Sequence, residues 1–326
     1  MSKEKHNELA LVRLTERDLK ILKKINAAGW LTTEQIGKYF FPGKSVNAVS
    51  KRLRKLASAG YVAIAKLSST EYGLYRLAGY GKLALIEHTS FDEADISIPI
   101  QPPRKIQHFI TINDLRFFFE QFIKDSAIEL LFFFSERELS SYYRKPDKIA
   151  DPMLLLLETY RIIPDALARI RVRRNGTDQY INVAIEYDAG TEQATFFGRT
   201  KVKQYAKLFA ENYGRLDDFK VLTFARSIKR IVSLMRQTVQ YQPPLHLFYF
   251  SLLEKLAAER WEACTVFLDP DDFFVSVRQS GRTEIIEKEQ HAGIPKYALI
   301  GVPASCPRRV SLREDTEEVS SLSEFR

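Results

Sequence analysis

Hydrophobic and polar positions recur along this chain with two periods, and the switches between them mark its elements. From Thr15 the spacing is helical: Thr-x-x-Asp forms a capping box, Leu19, Leu22 and Ile25 follow on one face, and Gly29 ends the run. A second helix is predicted from Leu31, with Ile36, Tyr39 and Phe40 on one side and Pro42-Gly43 as its stop. Ser45 caps a third helix whose buried side is Val46, Val49, Leu53 and Leu56. Its other side carries Asn47, Ser50, Lys51 and Arg54. After Gly60, residues 61–67 and 72–77 read as a hairpin around Ser68-Ser69-Thr70-Glu71, and 80–88 extend this first domain.

Periodicity fades over 89–104, where Pro99, Pro102 and Pro103 mark a linker. Beyond it the pattern predicts a helix over about 112–124, a strand over 128–134 and a long polar loop over 135–152. Strand-like alternation follows Pro164-Asp165, a basic turn spans 171–176, and a second strand covers 180–187. A helix begins near Thr191 or Glu192. It is followed by a strand at 219–225, helices at 227–237 and 246–257, and a last strand at 263–268. The layout is α/β (α+β): a first domain at 8–88, a linker at 89–104, a second domain at 105–302, and a polar, acid-ended tail at 303–326 expected to be disordered.

Three short helices followed by a hairpin is the order of a winged helix-turn-helix, whose third helix enters the major groove of double-stranded DNA. Charge agrees with this. The net charge of +8 is confined to the start of the chain, because residues 1–88 hold 16 Lys+Arg against 7 Asp+Glu while the remainder holds 33 against 34. A basic excess of that kind suits a polyanion. Asn47, Ser50, Lys51 and Arg54 are the candidates for base contact, with Lys44 and Arg52 within reach of phosphates. A homodimer on an inverted repeat is expected, since two-fold dimers are the commonest oligomers. Phe117, Phe118, Phe119 and Phe122 offer candidate surface for it, although most of them belong in a core.

In a strand, side chains alternate between faces. Val183, Ile185 and Tyr187 therefore point one way, and Asn182, Ala184, Glu186 and Asp188 the other. Asp165 heads the neighbouring strand, so three carboxylates can converge on one hard cation, Mg2+ or Mn2+. On the next helix Ala194, Phe197, Lys201, Tyr205 and Leu208 share one face. A lysine inside an apolar stripe requires a carboxylate partner, which selects Lys201 over Lys203 and Lys207.

Pro164-Asp165 and Glu186 resemble the first two motifs of the PD-(D/E)xK nuclease core. The lysine expected two residues after Glu186 is replaced by Asp188, and Lys201 on the adjacent helix could supply it. PDALARI, AIEYDAGT and KVKQY together resemble the replication-relaxation family of plasmids and integrated mobile elements, and Asn113-Asp114 after His108 matches its pattern there. The resemblance implies a winged helix before a nuclease-like domain, and one branch of the family comprises the C-class mobilization relaxases. His108 is then a candidate site residue, though a satisfied buried histidine is the plainer reading, and Glu120 a candidate outer acid. Two functional readings stand open. One is a sequence-specific DNA-binding protein of replication initiation or mobilization that nicks DNA with a divalent metal. The other is a non-enzymatic initiator or transcriptional regulator on a retired nuclease fold.

Other classes fall away. No apolar run approaches the ~20 residues of a bilayer span, the N-terminus lacks an apolar signal region, and Cys264 and Cys306 have no zinc spacing, so a cytoplasmic protein is expected. Gly43-Lys44-Ser45 resembles the end of a phosphate loop, but Gly37 lies one residue too far upstream and Tyr39, Phe40, Phe41 and Pro42 fill the interval, so no nucleotide cofactor is expected. Tyr142-Tyr143 invites a covalent tyrosine mechanism, yet His6, His88, His108, His246 and His291 are scattered singly, and water is the expected nucleophile.

Overall fold

The computed structural model describes residues 12–66, 73–122, 124–125, 128–144, 151–174, 177–212, 219–241, 243 and 247–253. They fall into two compact units, 1–117 and 118–326. The strand expected at 263–268 and the tail at 303–326 lie outside the described residues.

The first unit is built on short, well-capped helices. Helix α1 (Glu16–Ala28) starts at the Thr15/Asp18 capping box and closes on Gly29, whose φ of 84° favours glycine. Thr32 and Gln35 form a second capping box for α2 (Thr33–Phe40), and Ser45 caps α3 (Val46–Ser58). Leu31–Thr32, read from sequence as the start of α2, is a two-residue strand, β1. It pairs antiparallel with β3 (Gly73–Leu77), which also pairs with β2 (Val62–Lys66), giving the order β1-β3-β2. Helix α4 (Gly79–His88) follows. Ile21, Leu22, Ile25, Leu31, Ile36, Val49, Leu53, Leu56 and Leu77 form the core. Val46, expected on the buried side of α3, is 69% exposed. It is the first residue of the helix, and the buried stripe starts one turn later at Val49.

The segment expected as a linker lies against this unit: Ile96 is buried in its core and Ser97 donates its N–H to Asn26. Helix α5 (Ile106–Phe122) begins here as well. Asn113 donates to the Trp30 carbonyl at 2.9 Å, and Gln35 donates to Asp114 at 2.8 Å and to the Ile110 carbonyl at 3.0 Å. Phe117 stacks on Tyr39, and Phe119 is buried against Phe133 in the second unit, so neither offers surface to a second copy.

A six-stranded mixed sheet organises the second unit. Its order is β4 (Lys124–Asp125), β5 (Ile128–Ser135), β6 (Ala166–Arg174), β7 (Thr177–Asp188), β8 (Phe219–Ala225) and β9 (Phe248–Leu252). Strands β4 to β7 are antiparallel, and β8 and β9 continue parallel to β7. The crossover from β7 to β8 is one continuous helical stretch: α8 (Ala194–Phe197), a π-helical turn (Gly198–Val202) and α9 (Lys203–Glu211). Helix α10 (Ile228–Val239) makes the next crossover. The core under these helices includes Leu167, Ala184, Phe197, Val202, Leu208, Val221, Leu234 and Phe250.

Two expectations are corrected in this unit. The polar loop at 135–152 contains α6 (Glu136–Tyr143), because Ser135 and Glu138 form a capping box, and α7 (Pro152–Thr159) follows, capped by Asp151. Of the helix expected at 246–257, the described part is instead strand β9, with all five of its side chains buried, and 246 and 254–257 lie outside the described residues. A strand buried on both faces loses its alternation, so its apolar run can be mistaken for a helix.

Candidate functional site

Strand pairing brings the first two acids together. The β6–β7 register sets Ala166 opposite Ile185, and one further step in that register sets Asp165 beside Glu186. Asp165 accepts a 2.7 Å hydrogen bond from the Tyr187 N–H, and its carbonyl accepts one from the Glu136 N–H. Its carboxylate is thereby fixed at the mouth of the strand pair.

Glu186 is 4% exposed and points to the helix-covered side of the sheet. Lys201 Nζ lies 3.0 Å from its Oε2, and Tyr205 donates to its Oε1 at 2.7 Å. Lys201 and Tyr205 are four residues apart, so both reach one carboxylate from the same helical face. The lysine stands in the π-helical turn, a feature found often at functional sites. Gly198 permits that turn to pass close to α10, since a Cβ there would lie 2.9 Å from the Tyr241 ring and 3.2 Å from the Gln237 Cβ.

Burial pushes the Glu186 carboxyl up to about 7; the neighbouring Asp165 charge adds to this, while Lys201 and the Tyr205 hydroxyl oppose it. Burial works against the Lys201 ammonium, but the carboxylates of Glu186, Asp165 and Glu136 outweigh it and raise its pKa. Tyr205 is pushed well above its usual range by burial and then by the Glu186 charge, so it stays a hydroxyl donor. Lys201 also donates to the Ile163 carbonyl at 2.9 Å, and its side chain remains 30% exposed. The site therefore opens to solvent along the lysine. Beside Glu186 in the parallel register stands Thr223, fully buried, with a hydroxyl that has no hydrogen-bond partner.

The structure brings Asp165, Glu186 and Lys201 together and keeps Asp188 apart. Arg230 holds both oxygens of Asp188 in a bidentate pair at 2.7 Å each and also donates to the Glu192 carbonyl, while the Gly190 N–H caps Asp188 Oδ1. Asp188 is on the expected strand face, but its charge is spent on the loop that leads into α8. Among the described residues no group of three His, Cys, Asp or Glu side chains is placed to hold a metal ion. Sequence reading missed Tyr205 as a partner of Glu186, although it had placed it on the right face. It missed Thr223, a lone hydroxyl in the apolar strand FKVLTFA, and Arg230, forty-two residues beyond its partner.

Lys44, just before the Ser45 cap, and Asn47, Lys51 and Arg54 on α3 are exposed, and Ser50 is half-buried. Arg52 is not part of that face. It donates to Asp18 through Nε at 3.0 Å and again through Nη2, and reaches the Arg13 carbonyl at 3.1 Å. Asp18 is fully buried; burial opposes its charge, yet the hydrogen bonds from Arg52 and Thr15 hold its pKa below the usual value. His108 and Glu120 are both half-buried on α5. Tyr143 hydrogen-bonds weakly to the Ile162 carbonyl, and burial raises its pKa, which does not favour a phenolate nucleophile.

A family model described as replication-relaxation matches residues 22–218. The chain belongs to the replication-relaxation family. The match runs from within α1 to beyond α9 and so takes in α3, Asp165, Glu186 and Lys201. Membership carries a role in the replication or mobilization of plasmids and other mobile elements. No curated protein and no solved structure matches the chain. No helix among the described residues is long and apolar enough to cross a membrane.

Proposed function

We propose that this replication-relaxation protein binds a specific duplex DNA site through its first unit and nicks DNA at the Asp165–Glu186–Lys201 site with a divalent metal. One observation carries the reading: a lysine ammonium 3.0 Å from a buried glutamate, with an aspartate beside it at the ends of adjacent strands. Two topological facts support it. The order α1-β1-α2-α3-β2-β3 with sheet order β1-β3-β2 is that of a winged helix. With β4 before β5 and the helices α6 and α7 inserted between β5 and β6, the run α5-β5-β6-β7-crossover helix-β8 follows the helix, three antiparallel strands, helix and parallel strand order of the PD-(D/E)xK core.

The donors suit a hard cation. Asp165 and Glu186 offer carboxylate oxygens and Ile163 a carbonyl, with no nitrogen or sulfur ligand among them. Mg2+ commonly takes one or two protein carboxylates and completes its shell with water and phosphate oxygens. When bound, Mg2+ or Mn2+ supplies an acidified water and positive charge at the scissile phosphate. The protein's part is positional and electrostatic. The Tyr187 N–H fixes Asp165, the Tyr205 hydroxyl orients Glu186, and the solvent-reaching Lys201 ammonium can meet negative charge as it develops on the phosphate. On α3, Asn47, Lys51 and Arg54 meet the duplex.

Relaxation of supercoiled plasmid carrying the cognate origin, with Mg2+ or Mn2+, tests this directly. Wild type should nick it, and Glu186→Gln should bind the same DNA without nicking. If both proteins bind the plasmid and both leave it supercoiled, the non-enzymatic initiator or regulator is the correct reading.

A further inference from the structure

The Lys201 ammonium sits in a nest of oxygens. Its Nζ is 2.9 Å from the Ile163 carbonyl and 3.0 Å from Glu186 Oε2, with the Asp165 carboxylate close enough to act on its charge. Ile163 is the residue before Pro164-Asp165, so its carbonyl is carried on the same strand entry as the first acid. These oxygens are what a hard cation would collect. A second feature points into the same place. Thr223 stands in register with Glu186 on the same side of the sheet, fully buried, and its hydroxyl has no partner. A buried hydroxyl of this kind calls for a polar neighbour, and a water on a cation held by Glu186 would provide one.

We propose that Lys201 and a divalent cation are mutually exclusive occupants of one oxygen cage formed by Asp165, Glu186 and the Ile163 carbonyl. Ile163 is thus a metal ligand through its backbone, and Lys201 is an internal competitor that moves outward when the cation binds. The inference rests on the cation-binding reading of the site. Its physics is short-range: a cation bound at about 2.1 Å from these oxygens competes for the lone pairs that now accept from the ammonium. Repulsion between the two charges disfavours double occupancy further. The lysine has somewhere to go, because its side chain already reaches solvent and its stem is flexible. Displacement turns the ammonium from a plug of the carboxylates into a free charge at the mouth of the site, where a phosphate would arrive.

The experiment is Mn2+ binding to the full-length protein, followed by paramagnetic resonance of the free ion. Lys201→Met keeps the length of the side chain and removes the competitor, so it should bind Mn2+ at least tenfold more tightly than wild type. Equal or weaker binding by a folded Lys201→Met variant overturns the competition while leaving the cation site standing. No binding by wild type or variant sinks the cation-binding reading as well. Wild type alone gives a second measurement that does not depend on the variant folding. Mn2+ should raise the acetylation of Lys201 by a lysine-specific reagent severalfold, with the exposed Lys203 unchanged as control. Unchanged or reduced labelling of Lys201 in saturating Mn2+ overturns the proposal.

Discussion

Tyr205 donates a 2.7 Å hydrogen bond to Glu186, and both side chains are almost wholly withdrawn from water. The pair explains how a carboxylate can be kept under the crossover helix. Each oxygen of Glu186 has one partner, Tyr205 on Oε1 and Lys201 on Oε2, so the charge is fixed in direction as well as compensated. The two partners come from one helical face, and any shift of that helix relative to β7 moves both at once.

Removing the phenol tests this arrangement. Tyr205→Phe keeps the ring in the core and takes away one hydrogen bond to a charged group, which should lower stability by about 1.5–3 kcal/mol. Tyr160 makes a similar bond to Glu211 on the surface, and Tyr160→Phe should cost clearly less than Tyr205→Phe. Urea unfolding at pH 8 measures both. Equal effects from the two variants would mean that burial does not set the strength of the Glu186 contact.

The raised pKa of Glu186 makes a pH prediction with a definite sign. Its carboxyl goes from a usual 4.5 to about 7 in the folded protein, so the folded state binds the proton more tightly than the unfolded state. Stability from this group is therefore full below about pH 4.5 and falls as pH rises to 7, by about 3 kcal/mol in total. Above pH 7 its contribution is flat. Glu186→Gln should remove that decline, so the difference in stability between variant and wild type should change across pH 5–7 and stay constant across 7.5–9. A difference independent of pH over 5–7 would show that Glu186 titrates at its ordinary value.

Much of this site was legible because strand and helix periods fix which side chains share a face. Glu186 and Asp188 lie two apart in a strand, and Lys201 and Tyr205 four apart in a helix, so their faces followed without coordinates. What each side chain then bonds to was set by residues far along the chain. Arg230 takes Asp188 out of the cluster, and Asp18 takes Arg52 off the exposed face of α3. Local pattern also misled where burial is two-sided, as in β9, and where a cap is hidden in polar sequence, as at Ser135 and Glu138 before α6. The π-helical turn left no periodic trace, because the residues that meet Glu186 kept their four-residue spacing across it.

Arg52 and Arg54 are two positions apart on α3 and should behave as opposites. Arg52→Ala leaves the fully buried Asp18 carboxylate without its guanidinium and should destabilise the first unit by about 2–3 kcal/mol. Arg54→Ala should leave the melting temperature within about 1 °C, because surface changes away from such pairs are nearly neutral. It should instead weaken binding to the preferred duplex by about 1–3 kcal/mol if the side chain reads a base. Calorimetry and DNA titration at two salt concentrations separate the roles. An Arg52→Ala protein that is as stable as wild type but defective on DNA would return Arg52 to the binding face.

Asp188 decides how many carboxylates the site contributes. Its two oxygens are occupied by Arg230 in a planar bidentate pair, and the same guanidinium donates to the Glu192 carbonyl, tying the 189–193 loop to α10. A ligand role would require breaking that fork, which is among the stronger contacts a carboxylate makes. Asp188→Asn should therefore act on stability: it halves the fork, leaves the half-buried Arg230 poorly matched, and should cost about 1–3 kcal/mol. Its Mn2+ affinity should stay within about threefold of wild type, whereas Asp165→Asn and Glu186→Gln should each lose binding beyond detection. The reciprocal variant, Arg230→Met, frees Asp188 and should reproduce the loss of stability without weakening Mn2+ binding. Should Asp188→Asn lose the metal as completely as Glu186→Gln while Arg230→Met tightens it, then Asp188 is a ligand held in reserve by Arg230, and the site works with three carboxylates rather than two.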